Sequence, residues 1–492
     1  MSTHRSSFLS PPARLELTHT LPRSASPISA AAPSSEVIPL QSVPELKKVA
    51  IIGAGGHVGL PLSLVIADSG FQVTGIDLNL QTIRTLENGS VPFVEDGAEH
   101  LLAKVLRTGS LKFTTSYESI AESDTVVLII GTPVDANLNP RIDSLLDVVE
   151  QNMSRFHENQ LIVLRSTVSP GTTELVKDLI EDLTGMTEGE DFFVVFAPER
   201  VLQTKAIEEI RGLPQLVGAF SEASFRRAED FFSGFIDGQC IMLQPVESEI
   251  GKLITNMARY VSFALANEFY LIADAFGANM HRIVRACNQD YPRLDLPSPG
   301  PNVGGPCLYK DGYYLVDKLQ FPDIITTSFK INESIPMYLL EKVRGLTDIK
   351  KAAILGMTFK PNCDDTRNSL SYKLRKHLRG MRAEIVEVDP YVPGAETWDR
   401  LAGADALFLM TPHREFRDLQ GILAKIDNPN CVVVDMWDFW DENESLSHDG
   451  IYRAYQVTSG TAGNGSKTIP VQRHRRPQTS EEISGSGDTQ GG

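Results

Sequence analysis

Short apolar runs alternate with segments of helical periodicity through most of the chain. The first run, 47–52, leads into a glycine-rich stretch at 53–59, and a helical pattern follows over 60–69. The next apolar run, 71–76, ends in Asp77. Strands joined by helices give this alternation, so the pattern predicts a βαβ unit.

Three further strand-like runs lie at 125–130, 161–164 and 192–196, each separated from the next by enough residues for a helix. This spacing predicts a largely parallel sheet. Ligands of such sheets bind beyond the carboxyl ends of the strands. The polar residues that follow these strands are Thr132, Thr167, Glu199 and Arg200. Each alone is explained by a turn or cap, but four at one sheet edge favour a binding site.

A long helical pattern covers residues 246–276, with apolar residues at Ile250, Leu253, Ile254, Met257, Val261 and Leu265. At 1.5 Å per residue this helix is about 45 Å long, enough to join two domains. Lys252 and Asn256 share one face of it because they are four residues apart, and Arg259 lies beside them. Taken alone, such a triplet is better explained by a solvated polar edge than by a site.

A second α/β unit is predicted from strand-like runs at 350–356, 383–388, 404–410 and 431–435. It lacks a glycine fingerprint, and the polar loop 357–369 suits a nucleotide that is not a dinucleotide. The predicted fold is therefore α/β, with two Rossmann-like doubly wound parallel-sheet domains joined by a long central helix. The predicted boundaries are 1–46 (disordered tail), 47–245 (first Rossmann-like domain), 246–345 (central helical domain), 346–456 (second Rossmann-like domain) and 457–492 (disordered tail).

Composition narrows the function classes. The 492 residues carry a net charge of −17, which argues against nucleic acid or an anionic membrane surface as a partner. The five cysteines are well separated, without a Cys-x-x-Cys pair, so we expect neither disulfides nor a metal site and predict a reducing, cytoplasmic location. The apolar runs are shorter than the roughly 20 residues that a membrane-spanning helix needs.

The glycine-rich turn has the chemistry of a dinucleotide site. Its glycines allow a pyrophosphate to approach the backbone at the N-terminus of a helix, and Asp77 can accept hydrogen bonds from a ribose. The acid favours NAD over NADP. The spacing is one residue longer than the usual fingerprint, so we expect the turn to bulge or to use an additional glycine. The predicted cofactor contacts in this turn are Gly53, Gly55, Gly56, His57, Val58 and Gly59.

Cys307 lies among glycines in the stretch 299–311, four residues before Asp311. A thiolate whose pKa is lowered by nearby cations is nucleophilic enough to attack an aldehyde. On local sequence alone, a buried structural cysteine in a Gly/Pro turn is the stronger interpretation. Motifs elsewhere in the chain are needed to distinguish a catalytic cysteine from a structural one.

Five motifs occur together, in an order that is specific. They are Ser166-Thr-Val-x-Pro-Gly-Thr-Thr, Pro198-Glu-Arg-Val, Lys252-x-x-x-Asn256, Val303-Gly-Gly-x-Cys307-x-x-x-Asp311 and Phe359-Lys-Pro-x-x-Asp-Asp-x-Arg367-x-Ser369. From about residue 47 to residue 455 the chain thereby resembles the UDP-glucose/GDP-mannose dehydrogenase family. The resemblance implies NAD-dependent oxidation of the C6 alcohol of a nucleotide sugar to a carboxylate. It also implies that 47–245 is an NAD-binding domain, 246–345 a dimerisation domain and 346–456 a UDP-sugar-binding domain.

The resemblance also implies roles for individual residues. Cys307 would be the nucleophile that forms a thiohemiacetal and then a thioester, Lys252 the general acid/base, Asn256 an oxyanion donor, and Asp311 the group that assists hydrolysis. Thr167 and Glu199 would flank the reacting water and the nicotinamide. Thr132 and Arg367 would contact the cofactor. The remaining implied substrate contacts are Arg200, Val201, Arg259, Tyr291, Arg293, Gly304, Phe359 and Lys360.

Within the family, three details favour an N-acetylhexosamine, with UDP-N-acetyl-D-mannosamine first and a polysaccharide precursor as the product. They are Arg200 in Pro-Glu-Arg-Val, the Tyr291-Pro-Arg293 segment, and Arg259 one turn after Asn256. The pair Lys310-Asp311 is closer to the glucose branch, so UDP-glucose, UDP-N-acetylglucosamine and UDP-N-acetylgalactosamine remain alternatives. The family's pairing through the long helix implies a homodimer or a higher homo-oligomer.

Two rival functions stay open. One is a dehydrogenase that stops after one hydride and does not use the cysteine. The other is a nucleotide-sugar-binding protein without activity, suggested by the longer glycine loop and by Trp437, which stands where the family often has Arg or Lys. The number of NADH formed per sugar separates all three.

Overall fold

The computed structural model describes residues 48–135, 141–305, 308–316, 322–395, 398–440 and 446–458. Eight described strands form the first sheet. They are β1 (Lys48–Ile52), β2 (Gln72–Ile76), β3 (Leu111–Thr114), β4 (Thr125–Leu128), β5 (Leu161–Leu164), β6 (Phe193–Phe196), β7 (Gln215–Ala219) and β8 (Cys240–Leu243). Their spatial order is β3-β2-β1-β4-β5-β6-β7-β8. All pairs are parallel except β6 with β7.

The chain order reverses on either side of β1, so the crevice between the ends of β1 and β4 is a topological switch point. The helices that accompany this sheet are α1 (Gly59–Asp68), α2 (Leu80–Glu87), α3 (Ala98–Thr108), α4 (Asp143–Gln151), α5 (Thr172–Thr184), α6 (Ala206–Gly212) and α7 (Glu222–Ser233). Two short 3-10 helices cover Glu118–Glu122 and Met153–Arg155. Apolar side chains cover both faces of the sheet, as a parallel sheet requires.

Four helices follow the first sheet. They are α8 (Pro245–Ala275), α9 (Met280–Asn288), α10 (Leu308–Val316) and α11 (Asp323–Arg344). A proline opens α8, and the capping box between Gln244 and Glu247 satisfies its first backbone donors. From within α8, Glu249 accepts the backbone N–H groups of Gly171 and Thr173 at 2.6 and 2.7 Å. The long helix thereby caps the start of α5 and is fixed to the first sheet.

The second sheet has the order β10-β9-β11-β12-β13, and only β13 runs antiparallel to its neighbour. Its elements are β9 (Lys351–Leu355), α12 (Ser371–Gly380), β10 (Glu384–Val388), β11 (Ala406–Leu409), α13 (Leu419–Ile426), β12 (Val432–Val434), β13 (Ile451–Arg453) and α14 (Ala454–Thr458). Short 3-10 helices cover Trp398–Arg400 and Arg414–Phe416. The predicted fold class is confirmed: two parallel-dominated α/β sheets are joined by a long helix.

An ion cluster ties the long helices to the second sheet. The ammonium group of Lys342 in α11 is 2.6 Å from an Asp274 carboxylate oxygen at the end of α8, and it also pairs with Asp449 before β13. His448 lies 3.5 Å from the same Asp274 oxygen. Because an ammonium group already lies between the two carboxylates, the cluster is a structural junction.

The apolar residues of α8 divide between two environments. Leu253 and Met257 are buried, whereas Ile254 and Leu265 are exposed. Further along the helix Phe269, Ile272 and Phe276 are also exposed, so α8 presents an uncovered apolar face.

The domain boundaries given above stay a prediction. The two terminal segments expected to be disordered lie outside the described residues, apart from 457 and 458. Among the described helices, none has the length and apolarity that crossing a bilayer requires. The four cysteines in the described part, Cys240, Cys287, Cys363 and Cys431, are all free thiols.

Candidate active site

The glycine turn after β1 is shaped by close backbone approaches. Gly53 has φ +88°, and a Cβ placed on it would lie 2.1 Å from the Ile129 carbonyl oxygen. A Cβ on Gly59 would lie 2.1 Å from the Gly53 oxygen, so helix α1 packs directly on the turn. The additional residue is absorbed by a tight turn in which the Gly56 N–H donates to the Gly53 oxygen at 3.3 Å.

Asp77 and His57 form the walls of this turn. One Asp77 carboxylate oxygen accepts the Gly55 N–H at 3.0 Å, and the other accepts the Asn79 N–H at 2.9 Å. His57 stacks on Phe93 with a centroid distance of 4.1 Å. Burial, with the nearby Arg367 guanidinium, lowers the pKa of His57 below its usual value. The His57 imidazole is therefore neutral at pH 7. Val58, the next residue, is half-buried.

The polar residues that follow β4, β5 and β6 do lie at one sheet edge. Thr132 is buried, and its hydroxyl donates to the Thr167 carbonyl oxygen at 2.5 Å. Glu199 is buried as well and pairs with the buried guanidinium of Arg165. The guanidinium of Arg200 donates to the Pro214 carbonyl oxygen, and Val201 is half-buried.

A buried polar pair connects α8 with α10. The Asn256 amide donates to an Asp311 carboxylate oxygen at 2.6 Å, and the other Asp311 oxygen is buried without a hydrogen-bond partner among the described residues. Burial raises the pKa of Asp311, although the charges of Lys252 and Lys310 and the Asn256 hydrogen bond act in the opposite direction. Lys252 is half-buried, and Arg259 is exposed further along α8. The structure thus brings Lys252, Asn256 and Asp311 together.

Cys307 lies outside the described residues. The described segments before and after it contact different sheets of the protein. After it, α10 reaches the first sheet: the Lys310 ammonium group and the Tyr314 hydroxyl both donate to the Thr132 carbonyl oxygen at 2.7 Å. Before it, a Cβ on Gly304 would lie 2.4 Å from the Asn368 carbonyl oxygen. The described residues before position 307 therefore contact the second sheet's loops, and those after it contact the first sheet.

The polar loop 357–369 after β9 closes the cleft from the second sheet. Gly305, with φ +103°, lies against the Phe359 ring, where a Cβ would come within 2.9 Å. The Lys360 ammonium group donates to the Gln203 carbonyl oxygen and, at 3.1 Å, to the Thr204 hydroxyl. Burial lowers the pKa of Lys360. The loop therefore reaches the residues that follow Pro-Glu-Arg-Val at the first sheet.

The exposed side chain of Arg367 folds back on its own loop. Its guanidinium contacts both Asp365 oxygens at 2.6 to 3.1 Å, and its charge acts on His57 across the cleft. The backbone N–H of Val94 donates to Asp364 at 3.2 Å, which is another bond between the two halves. Both halves thus contribute to the walls around the glycine turn.

Models of one family match three successive parts of this chain. The NAD-binding domain model matches residues 47–236, the central domain model 246–334 and the UDP-binding domain model 353–442. Together they cover well over half of the sequence, in the order that the family has. The chain belongs to the UDP-glucose/GDP-mannose dehydrogenase family. It is accordingly an NAD-dependent nucleotide-sugar dehydrogenase.

Among the similar proteins, a UDP-N-acetyl-D-mannosamine dehydrogenase from Pyrococcus horikoshii is 33% identical over 384 residues, which are 76% of this chain and 91% of that protein. The solved structure of UDP-N-acetyl-mannosamine dehydrogenase from Staphylococcus aureus matches with TM-score 0.72 and 28% identity, over 80% of this chain and 95% of that one. The structure of NDP-N-acetyl-D-galactosaminuronic acid dehydrogenase from Methanosarcina mazei matches with TM-score 0.66 and 30% identity, over 80% and 91%.

The glycine turn of this dehydrogenase fits NAD. Helix α1 begins at Gly59 directly after the turn, without a side-chain cap from Val58, so the positive end of its dipole lies where such turns bind a pyrophosphate. The turn excludes a Cβ at Gly53 and Gly59, and Asp77 lies at the end of β2, the place where an acid meets the adenosine ribose. Its oxygens already accept two backbone bonds, and each retains a lone pair for a hydroxyl donor.

Two predicted substrate residues of the dehydrogenase contact each other at the surface. Tyr291 and Arg293 are exposed in the segment between α9 and the cysteine loop, and the Arg293 guanidinium lies 4.6 Å from the centroid of the Tyr291 ring. The Arg293 Nε also donates to the Tyr291 hydroxyl at 3.0 Å. The described residues of this chain give them no contact with Lys252 or Asn256.

Sequence reasoning missed several residues that build the cleft of the dehydrogenase. Glu95 is buried and accepts the backbone N–H groups of Thr204 and Ala206 at 2.7 Å, which fixes the loop that Lys360 contacts. Asn302 makes several buried hydrogen bonds just before the two glycines. Both residues lie in loops without a periodic pattern, so the sequence carries no signal for them, and their importance follows from their buried partners.

Proposed function

We propose that this dehydrogenase oxidises the C6 alcohol of UDP-N-acetyl-D-mannosamine to the carboxylate, with two NAD reduced per sugar. The observation that carries the proposal is the polar cluster of Lys252, Asn256 and Asp311, which lies between the two sheets beside the loop of Cys307. The cluster supplies a base, amide donors and a carboxyl group in one place. A four-electron oxidation needs all three kinds of group.

Each residue has a role that follows from its chemistry. NAD, when bound at the glycine turn, accepts a hydride in each of the two oxidations. In the first, Lys252 takes up the proton of the C6 hydroxyl through water. The aldehyde then receives the Cys307 thiolate, which gives a thiohemiacetal and, after the second oxidation, a thioester that water hydrolyses to the uronate.

The oxyanion that forms on thiol addition is stabilised by Lys252 and Asn256. The Asn256 amide carries two N–H donors, and its contact with Asp311 uses only one of them. Asp311 therefore fixes the orientation of the amide towards the cleft. Loss of one such donor typically costs about 10²–10³ in rate.

Asp311 suits the hydrolytic step because it is completely buried and its pKa is raised. A carboxyl group with a raised pKa holds and releases a proton closer to neutral pH than an exposed one does. Its second oxygen is buried without a hydrogen-bond partner among the described residues, so it retains an acceptor for a reacting water. Thr167 and Glu199 remain proposed neighbours of the nicotinamide, with Glu199 kept in place by Arg165.

The choice of sugar is supported by the relatives named for N-acetylated substrates and by two exposed arginines. Arg259 on α8 and Arg293 can each donate to an acetamido carbonyl group, Arg293 from a neighbouring subunit. A site built to pair such a group discriminates strongly against a sugar that lacks it. UDP-glucose, UDP-N-acetylglucosamine and UDP-N-acetylgalactosamine are the alternative substrates.

A homodimer, or a higher homo-oligomer, completes this proposal. The exposed apolar residues along α8 include Phe276, at 85% exposure, and Ile272, at 50%. Together with Leu265 and Phe269 they follow the helical spacing of one face. A second copy of the chain would remove this face from water and bring Arg293 to its partner's cleft. The cytoplasmic location predicted from the cysteines belongs to the same proposal.

The proposal is tested by comparing four UDP-sugars under identical conditions, with NADH absorbance and product mass as the readouts. We expect kcat/KM for UDP-N-acetyl-D-mannosamine to exceed that for UDP-glucose, UDP-N-acetylglucosamine and UDP-N-acetylgalactosamine. Faster oxidation of UDP-glucose would overturn the sugar assignment. If none of the four yields NADH while UDP still binds, the inactive binding protein becomes the better account.

A further inference from the structure

Asn302 has the most densely hydrogen-bonded side chain in the described part of the cysteine loop. Its Nδ2 atom lies 2.9 Å from the Thr358 carbonyl oxygen, 2.9 Å from the Thr411 hydroxyl and 3.1 Å from the Ser369 hydroxyl. Its Oδ1 atom accepts the Leu370 N–H at 2.8 Å. The residue is 4% exposed. An amide buried in this way resists movement, since a displacement leaves several polar groups unpaired.

All of these partners belong to the second sheet and its loops. Thr358 follows β9, Thr411 follows β11, and Ser369 and Leu370 precede α12. The chain separations range from 56 to 109 residues. Asn302 therefore joins the cysteine loop to the nucleotide-binding side of the cleft at one point.

The same loop is also held at its beginning. A Cβ on Gly300 would lie 2.2 Å from the Trp437 indole, and the Gly300 N–H donates at 3.0 Å to the buried Asn267 of α8. At the far side of residue 307, Lys310 and Tyr314 are bound to the first sheet. Asn302 is the side-chain anchor between these two attachments.

The Asn302 contacts continue into the loop that carries Phe359 and Lys360. The Thr358 hydroxyl donates to the Lys360 carbonyl oxygen at 3.0 Å and lies 3.2 Å from the His413 Nε2. The His413 Nδ1 accepts the Asn362 N–H at 2.9 Å. The groups that fix Asn302 are thus the groups that shape the nucleotide loop.

We infer that Asn302 is a positioning residue for the reaction of Cys307, because it fixes the described start of the cysteine loop, 299–305, to the residues that shape the Phe359–Lys360 loop. The inference rests on the proposed function, because it takes Cys307 as the nucleophile. A misplacement of about 1 Å can cost on the order of 10² in rate, so loss of this anchor should act on turnover.

The test uses Asn302→Asp in the full-length enzyme. The side chain keeps its size and still accepts the Leu370 N–H, but the ionised carboxylate cannot donate to Thr358 or Thr411. The matched control is Asn152→Asp, since Asn152 is also buried and donates to a backbone oxygen, that of Val148 at 2.8 Å, outside the cleft. For each variant kcat, KM for NAD, the Kd for UDP and the rate of Cys307 alkylation are measured, with peptide mass spectrometry to separate Cys307 from the exposed Cys287.

We expect Asn302→Asp to lower kcat by about 10²-fold and to change the alkylation rate of Cys307, while KM for NAD and the Kd for UDP stay within about threefold. The Asn152→Asp control should lose stability without this loss of kcat. A kcat for Asn302→Asp no lower than that of the control overturns the inference. So does a loss of UDP affinity that accounts for the whole effect.

The Cys307→Ala variant separates this inference from the proposed function. If Cys307→Ala abolishes uronate formation and Asn302→Asp turns over normally, only the role of Asn302 is wrong. If Cys307→Ala forms uronate at the normal rate, the covalent step fails, and the inference fails with it.

Discussion

Asp311→Asn separates the proposed catalytic role of this carboxyl group from its effect on stability. The substitution conserves shape and leaves Asn256 an oxygen to donate to, at a position where the present distance is 2.6 Å. It removes a charge that is completely buried. The pKa of Asp311 is raised although Lys252 and Lys310 lie nearby. The free-energy cost of burying the charge is therefore larger than the stabilisation that the two lysines and the Asn256 hydrogen bond provide.

The sign of the pH dependence follows from the raised pKa. A carboxyl group with a raised folded-state pKa binds its proton more tightly in the folded protein, so the free energy of unfolding falls as pH rises from the unfolded value, about 3.9, to the folded one. Above the folded pKa the full cost is present, and it amounts to about 1.4 kcal/mol for each tenfold difference in proton affinity between the folded and unfolded states. Asp311→Asn should therefore raise Tm relative to wild type at pH 8, and the difference should vanish near pH 4.

The activity of Asp311→Asn should fall, whereas its Tm at pH 8 should rise. We expect kcat to fall by about 10²–10³, the range for a lost donor or a lost acid/base group. The assay is thermal unfolding across pH 4 to 8 together with NADH formation. A lower Tm for Asp311→Asn at pH 8 would show that the carboxylate stabilises the fold, and wild-type kcat would remove Asp311 from the chemistry.

Three further predictions follow from the packing, the cofactor turn and the exposed helix face. Gly300→Ala should lower the free energy of unfolding by about 1–3 kcal/mol through overpacking against Trp437, and adding Trp437→Leu should restore part of it in denaturant titrations; an unchanged midpoint would contradict the close contact. NADP should show kcat/KM about 10²-fold below that for NAD, since Asp77 repels a 2′-phosphate, and equal values would exclude this role. Phe276→Ser should yield monomers by light scattering at concentrations where wild type and the exposed control Leu183→Ser remain dimers; an unchanged dimer would place the interface elsewhere.

Periodicity predicted the parts of the fold whose stabilisation is local. The strands β1 and β2 and the helix α8 carry apolar runs or a 3.6-residue repeat, and they begin and end within one or two residues of their predicted limits. The strands β3, β7, β8 and β13 were not predicted. They are three to five residues long, and the apolar Ile241 and Met242 of β8 are exposed. These segments are strands because they pair with neighbouring strands of the sheet, and not because of a pattern in their own sequences.

The predicted site residues came from motifs, and motifs cannot show which groups meet. Thr132 and Lys310 are 178 residues apart, and Asn302 and Thr411 are 109 apart. A single asparagine in a Gly/Pro loop has no periodic signal, so its importance emerges only when its buried partners are known. For the same reason the sequence did not distinguish the buried Leu253 from the exposed Ile254 on α8.

The most direct test of the covalent four-electron mechanism is the number of NADH formed per UDP-sugar consumed, measured for wild type, Cys307→Ala and the control Cys287→Ser. We predict two NADH and one uronate for wild type and Cys287→Ser, and no uronate for Cys307→Ala, which should still bind NAD. One NADH per sugar with an aldehyde product in the wild type, or normal uronate formation by Cys307→Ala, would contradict the account.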